Sequence, residues 1–356
     1  MESRKINPFL RILIVFFTTI LMIVIFAVGV VFVLEKGPSR RATELFALSC
    51  NETSALKWVP GMFLSKKEVK AILNPEPEAP SLEGSVIKIN GDKMNIVYKS
   101  SEPEADAMIL PYVPTDGETA SGDGTTENGP VLELVDLRGG TYKGKMLLVH
   151  DPSRVTVGSI DSFGGAGITL SQFLEKYDAI ACTNAGGFED ENGKGKGGIP
   201  DGIVIRDGQI VYGSAGSSYR DVVGFDADNK LHVGNMTGAQ ALEEGIINGT
   251  SFELGPVLIK DGERQPLPTS GINPRTAIGQ TADGTVIMVA IEGRMVDSLG
   301  ATSADLIDLF EKYGAVNAAN LDGGSSSGLY YEGERITRSS SVIGDRPLPT
   351  AIIVKK

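Results

Sequence analysis

Thr276-Ala277-Ile278-Gly279-Gln280-Thr281-Ala282-Asp283-Gly284-Thr285-Val286-Ile287-Met288-Val289-Ala290-Ile291 reads as two strand-like runs about an Asp283-Gly284 turn. An Asp-Gly pair between apolar, β-branched runs is a strong hairpin signal, because glycine accepts the positive φ that a tight turn needs. The pattern recurs in both directions. Ile203 to Arg206 and Gln209 to Tyr212 flank Asp207-Gly208, and Val222 to Phe225 and Lys230 to Val233 turn at Asp228-Asn229. Leu329 to Tyr331 and Glu334 to Thr337 flank Glu332-Gly333. Val131 to Leu137, Met146 to His150, Ala179 to Thr183 and Ala351 to Val354 add further strands. Against these stand two marked helices. Thr169-Leu170-Ser171-Gln172 opens one that runs to about Tyr177, and Thr302 or Ser303 caps another that Gly314 ends. Leu306, Leu309, Phe310 and Tyr313 give the second an apolar stripe at helical spacing. Many short strands with few helices predict an α+β fold of mixed, mainly antiparallel sheets. The 226 residues from Val131 to Lys356 suffice for one large core.

Upstream, Ile12 to Leu34 is an uncharged, mostly apolar run of 23 residues. At roughly 1.5 Å per residue it spans about 35 Å, enough for a hydrocarbon core of roughly 30 Å. A signal peptide has a shorter apolar region and an Ala-x-Ala-like cleavage site, which is not apparent here, so the run predicts an uncleaved anchor. Arg4, Lys5 and Arg11 precede it and Lys36, Arg40 and Arg41 follow, so the positive-inside rule hardly chooses an orientation. The large globular part after a first span predicts the N-terminus inside and the rest outside. Three regions follow: residues 1–34 as tail and transmembrane anchor, 35–130 as stalk, linker and a small strand-containing region, and 131–356 as the main domain. In the middle region, Ser65-Lys66-Lys67-Glu68 is a capping-box pattern for a helix stopping at Asn74-Pro75. Pro75, Pro77 and Pro80 read as a stiff linker, Ser85 to Ile89 and Met94 to Tyr98 as a hairpin about Asn90-Gly91, and Pro114 to Pro130 as a polar loop.

The net charge is −12, and the first 34 residues hold three basic and one acidic side chain, leaving −14 on the remainder. That balance argues against a nucleic-acid binder, which needs a basic footprint, but leaves room for a local basic pocket for a phosphate. Cys50 and Cys182 do not make a disulfide framework, and Cys182 reads as a buried thiol. His150 and His232 lack metal-ligand spacing. There is no Gly-x-Ser-x-Gly elbow, Walker A loop or dinucleotide fingerprint; Gly164-Gly165-Ala166-Gly167 has the wrong spacing.

Four segments at strand ends carry unusual polar content. Asn320-Leu321-Asp322-Gly323-Gly324-Ser325-Ser326-Ser327-Gly328 combines an acid, hydroxyls and glycines whose amides can cradle an anion. Thr183-Asn184-Ala185-Gly186-Gly187-Phe188 follows an apolar run and offers a polar amide beside close-approach glycines. Arg275-Thr276 enters a strand, and a guanidinium suits a phosphate or carboxylate. Glu292-Gly293-Arg294 ends the apolar run 286–291, where the carboxylate is either catalytic or paired with Arg294 or Arg275. Asp190-Glu191-Asn192-Gly193 has part of a calcium-loop pattern, but a solvated loop is the better reading.

Asn184-Ala-Gly-Gly-Phe188, Arg275-Thr-Ala-Ile-Gly279, Glu292-Gly-Arg294 and Asn320-Leu-Asp-Gly-Gly-Ser-Ser326, in this order, resemble the phosphodiester glycosidase family. The resemblance covers roughly Val131 onward; the anchor and stalk lie outside it and look like those of bacterial cell-surface members. Family motifs often read Asn-Gly-Gly-Phe-Phe where this chain has Ala185 inserted and Glu189 after Phe188, and have a third glycine where Ser325 stands. The resemblance implies a hydrolase that releases a sugar from a sugar 1-phosphodiester outside the cytoplasm, with a phosphosugar (a cell-wall polymer, an exopolysaccharide or a glycolipid phosphate) as its partner. It also implies that Asp322, Glu292 and Arg275 are catalytic. Asn184, Gly186, Gly187, Thr276, Arg294, Gly323, Gly324, Ser325 and Ser326 are then implied to bind substrate. No cofactor is required by the sequence, although a divalent cation such as calcium is compatible with it.

The leaving group in such a substrate is a phosphate monoester, a weak base, so protonating it matters less than for an alkoxide. The site needs a cation for the phosphate, with Arg275 the first choice, and a carboxylate near the anomeric carbon. Asp322 and Glu292 both qualify. Asp322→Ala and Arg275→Ala are each expected to abolish turnover with little change in melting temperature. A phosphodiesterase cleaving P–O and a non-catalytic wall-polysaccharide binding module are the alternatives.

Overall fold

The computed structural model describes residues 7–53, 56–74, 86–90, 93–97, 125–126, 129–191, 194–267, 270–341 and 344–356. The proline-rich stretch 75–80, Gly91 and most of 114–130 lie outside them. The apolar run forms helix α1 (Pro8–Lys36), capped by the Asn7 side chain, with a mean hydropathy of 3.0 over its most apolar window and none of that window buried. A helix not marked in the sequence follows, α2 (Arg40–Asn51). It buries Thr43, Ala47, Leu48 and Cys50, a helical spacing masked by the charges of Arg40, Arg41 and Glu44. Then comes α3 (Lys66–Leu73), with the capping box of Ser65 and Glu68 in place and Asn74 at its end. The two strands Val86–Asn90 and Lys93–Val97 pair antiparallel.

Three antiparallel sheets build the domain. The seven-stranded sheet runs in the order 263–264, 257–260, 315–321, 275–281, 286–291, 143–149, 132–138. One five-stranded sheet runs 334–335, 329–331, 179–184, 350–355, 155–159, and the other 209–212, 204–206, 248–251, 218–225, 231–237. The opening hairpin forms the middle of the large sheet, with Arg275 opposite Ile291 and Gln280 opposite Val286. Its second strand is buried along its whole length. Val286, Met288 and Ala290 enter a core shared with the two smaller sheets, where they meet Val157, Ala181, Val223, Leu231 and Ile352. Ile287, Val289 and Ile291 point the other way, onto Leu306, Ile307 and Phe310 of α6 (Ser303–Lys312). This period-two split explains why the run reads as continuously apolar.

Each five-stranded sheet has its own helix on its far face. Leu170, Phe173 and Leu174 of α4 (Leu170–Tyr177) pack with Cys182 and Ile353. Ala241 of α5 (Gly238–Glu243) packs with Ile203, Ile205 and Val222. Capping boxes start all three helices, at Thr169, Thr237 and Thr302. Both cysteines are buried free thiols, and burial raises the pKa of each.

Candidate functional site

Three strand ends converge to make the site. Thr276 pairs with Leu321, so Asp322 emerges beside Arg275 as its strand leaves the sheet. Asn184 ends the neighbouring sheet's central strand. Its amide ties the two together. Nδ2 donates to the Asp322 carbonyl at 2.5 Å, while Oδ1 accepts from Thr276 Oγ1 at 2.8 Å and from the Gly328 amide at 3.2 Å. One fully buried side chain thus pins the glycine-serine loop at both ends. The loop is also fixed by the Asp322 amide donating to Ala185 O and the Gly324 amide to Pro274 O, both at 2.9 Å. Gly324 needs its positive φ of 62°, and a Cβ there would stand 3.1 Å from the Arg294 guanidinium.

The loop floors a cavity of about 590 Å³, lined also by Gly187, Phe188, Asp190, Asp201, Arg275, Arg294 and Arg346. This is a size suited to a small-molecule site. A wider surface depression of about 1110 Å³ lies elsewhere, between Val131, Asp151, Arg154 and Lys356, and contains none of these residues. Two carboxyls in the cavity hold protons unusually well. Burial, then the nearby charges of Asp322 and Glu253, push Asp201 up to about 7. Burial also lifts Asp322, to about 6, against opposing hydrogen bonds from Ser326 and the Gly323 amide. Asp322 is only half-buried as a residue because the cavity itself opens to solvent, while its carboxyl sits deep. Asp201 lies against Gly187, where a Cβ would come within 2.2 Å of its carboxylate, and its Oδ1 is buried with no hydrogen-bond partner among the described residues. Glycine at 187 is therefore what lets the second carboxyl approach.

The positive side comes from three arginines. Arg346 is held by Asp190 through contacts of 2.7 and 3.2 Å, reaches Ser325 Oγ at 3.1 Å and lies over the Phe188 ring at 5.3 Å. Arg294, in the left-handed region at φ 59°, donates to Thr53 Oγ1 at 2.8 Å and Asn273 Oδ1 at 3.3 Å. Burial and then the charge of Arg275 lower its pKa, but a guanidinium stays protonated. Arg275 commits three of its five donors: Nε to Ala301 O at 3.1 Å, and Nη2 to Gly271 O and Glu52 Oε2, each at 2.6 Å.

Of the residues singled out in the sequence, Asp322, Arg275, Gly187, Arg294, Gly323, Gly324, Ser325 and Ser326 line the cavity. Asn184, Gly186 and Thr276 lie behind the wall as struts. The Gly186 amide donates to Thr350 Oγ1 at 2.9 Å, and a Cβ at 186 would strike Thr250 Oγ1 at 2.2 Å. Glu292 is outside the lining. It receives the Arg338 amide at 2.8 Å and the Arg338 side chain at 2.6 and 2.7 Å, so its ion pair is with neither Arg294 nor Arg275. Asp190, considered above for calcium, instead accepts from Arg346 and from the Gly195 amide at 2.7 Å. Among the described residues no group of three or more acidic, histidine or cysteine side chains is arranged to hold a metal ion.

The expectation for Arg275 changes too. Its side chain is buried and braces two loops, so Arg275→Met is expected to destabilise the fold by about 3 kcal/mol, as for breaking a buried ion pair. Denaturant unfolding measures this, and an unchanged midpoint would refute the bracing role. Sequence reading missed Asp201, Arg346, Glu52 and Thr53. Asp201-Gly202 looks like an ordinary turn, Arg346 stands alone before a proline, and Glu52 and Thr53 belong to the unmarked helix α2 and the residues just after it.

Stacked antiparallel sheets with carboxyls and arginines gathered at their strand ends define a β-rich domain with a charged cavity. The phosphodiester glycosidase family model matches residues 177–355, and the chain belongs to that family. It is 32% identical over 185 residues to the uncharacterised SPbeta prophage-derived protein YomE of Bacillus subtilis (strain 168), a match spanning 49% of this chain but only 28% of that protein. The fold is similar to that of zebrafish N-acetylglucosamine-1-phosphodiester alpha-N-acetylglucosaminidase, in a structure of its catalytic domain auto-inhibited by a pro-peptide. That likeness has a TM-score of 0.53 at 22% identity and covers 67% of this chain and 88% of that one.

Proposed function

We propose that this chain is a membrane-anchored hydrolase that cleaves the glycosidic C–O bond of a sugar 1-phosphodiester outside the cytoplasm. The observation that carries the reading is one cavity holding two proton-retaining carboxyls, Asp201 and Asp322, beside Arg294 and Arg346. Pairs of acids with raised and separated pKa values suit acid–base work near neutrality. The arginines and the Ser325 and Ser326 hydroxyls take the phosphate, and Asp322, ionised first, acts at the anomeric carbon. Asp201 retains a proton for the departing phosphate oxygen. Overall, water supplies the hydroxyl at C1, and the glycosidic oxygen leaves with the phosphate monoester. Glu292, an equal candidate in the sequence, takes no part in this scheme, because Arg338 occupies its carboxylate. The exposed apolar helix α1 supports the anchor.

Hydrolysis of a sugar 1-phosphodiester in ¹⁸O-labelled water tests the bond cleaved. Label is expected in the released sugar. Label in the phosphate would make the protein a phosphodiesterase, and binding without any release would make it a binding module.

A further inference from the structure

One wall of the cavity comes from outside the sheet domain. Asn51, Glu52, Thr53 and Lys57 line it, all from the end of α2 and the turn that follows. They are built in by direct bonds. Glu52 holds Arg275 at 2.6 Å, the Gly271 amide at 2.7 Å and Asn273 Nδ2 at 3.0 Å, while Ser49 Oγ accepts from the Ile272 amide at 2.9 Å.

The same segment is fastened to the end of the apolar helix. The Phe63 ring meets the Phe32 ring edge-on at 5.3 Å, the Phe63 amide donates to Glu35 Oε2 at 3.0 Å, and Thr43 Oγ1 donates to Leu34 O at 2.9 Å. Phe32 lies inside the uncharged run 12–34. Only five residues lie between cavity-lining Lys57 and Phe63, so the six steps span at most about 22 Å even if that stretch were fully extended. The cavity wall is therefore held close to the end of the span.

The intervening surface is apolar. Trp58 is 66% exposed, with Leu56 and Met62 also exposed beside it, and Leu254 on the cavity wall is 78% exposed. Large apolar side chains in this position, with tryptophan among them, match the boundary between bilayer and water. A water-soluble sugar phosphate gives them nothing to contact. A lipid tail does.

We propose that the substrate is carried by the membrane: a sugar 1-phosphodiester whose second ester is a long-chain lipid alcohol, entering the cavity past the Leu56–Met62 edge. This rests on the phosphodiester glycosidase reading of the cavity and on α1 spanning the bilayer. Water adds its oxygen to C1, the C1–O bond breaks, and the lipid phosphate monoester keeps that oxygen and stays in the bilayer.

The test uses the full chain in liposomes, with two competing substrates of the same sugar: a polyprenyl phosphodiester in the same bilayer and a methyl phosphodiester in solution. The lipid ester is expected to be cleaved at least about tenfold faster at equal total concentration, a modest effect for burying a few methylenes. If the methyl ester is cleaved as fast or faster, the inference falls and the glycosidase reading stands. If neither is cleaved, both fall. The double substitution Leu56→Ser with Trp58→Ser is expected to lower cleavage of the lipid ester about tenfold more than that of the methyl ester. An equal effect on the two esters overturns the proposed entry edge.

Discussion

Asp322→Asn is expected to lower kcat/KM for a sugar 1-phosphodiester by about 10³-fold or more, at the upper end of what loss of a general base or nucleophile costs. The substitution keeps the shape of the side chain and its contacts with Ser326 and the Gly323 amide, so the loop should stay folded. The loop is pinned by main-chain atoms of Asp322, which donates to Ala185 O and accepts from Asn184, and asparagine leaves both in place. Circular dichroism should therefore be unchanged, and melting at neutral pH should not fall. The burial that raises the Asp322 carboxyl to about 6 opposes its ionised form, and asparagine removes that opposition. Residual activity within tenfold of the parent would sink the assignment.

Asp201→Asn should have the second largest effect, and it separates catalysis from stability. The folded protein holds the Asp201 proton up to about pH 7, whereas an unfolded chain releases it near 3.8. The stabilising contribution of the protonated group is complete below about pH 4 and is lost as pH rises through about 7. Each unit of difference is worth about 1.4 kcal/mol, reduced here by the open side of the cavity, so a gain of about 2 kcal/mol is expected for Asp201→Asn at pH 8 and almost none at pH 4. Activity should move the opposite way. With two coupled acids the parent profile of kcat/KM rises through about pH 6 and falls above about pH 7. The variant should lose the alkaline limb and about 10²-fold in rate at the optimum. Melting curves at the two pH values and a pH–rate profile check both parts; a variant that is less stable at pH 8 would contradict the buried-acid description.

The hairpins were legible because a two-residue turn and a period-two pattern are local properties. Asp207-Gly208, Asp283-Gly284 and Glu332-Gly333 all join antiparallel neighbours. Asn248–Ser251 was not, since it is short and gains its partners from distant segments, and Val257–Lys260 was missed because its local partner about Asp261-Gly262 is only two residues long. The site was half legible for the same reason. The Asp322 loop shows its chemistry in consecutive residues. Asp201 does not, because its significance lies in packing against Gly187 and sharing a cavity with Asp322, neither of which is written near it in the chain. Glu292 shows the converse. Its position at the mouth of a buried strand suggested chemistry, and its carboxylate is paired with Arg338, far along the chain.

The strand Thr350–Lys355 lies between 179–184 and 155–159, so it joins two strands that stand far earlier in the chain. Thr350 also receives the Gly186 amide behind the cavity wall. Until this strand has been synthesised, the two strands it joins have no partner on that side, and Asn184 ends a strand with an open edge. The back of the cavity wall therefore depends on a strand far along the chain from the two it joins. Long-range pairing of this kind is slow to form. Asn184 and the loop it pins are therefore expected to become ordered late in folding, once this long-range pairing is complete.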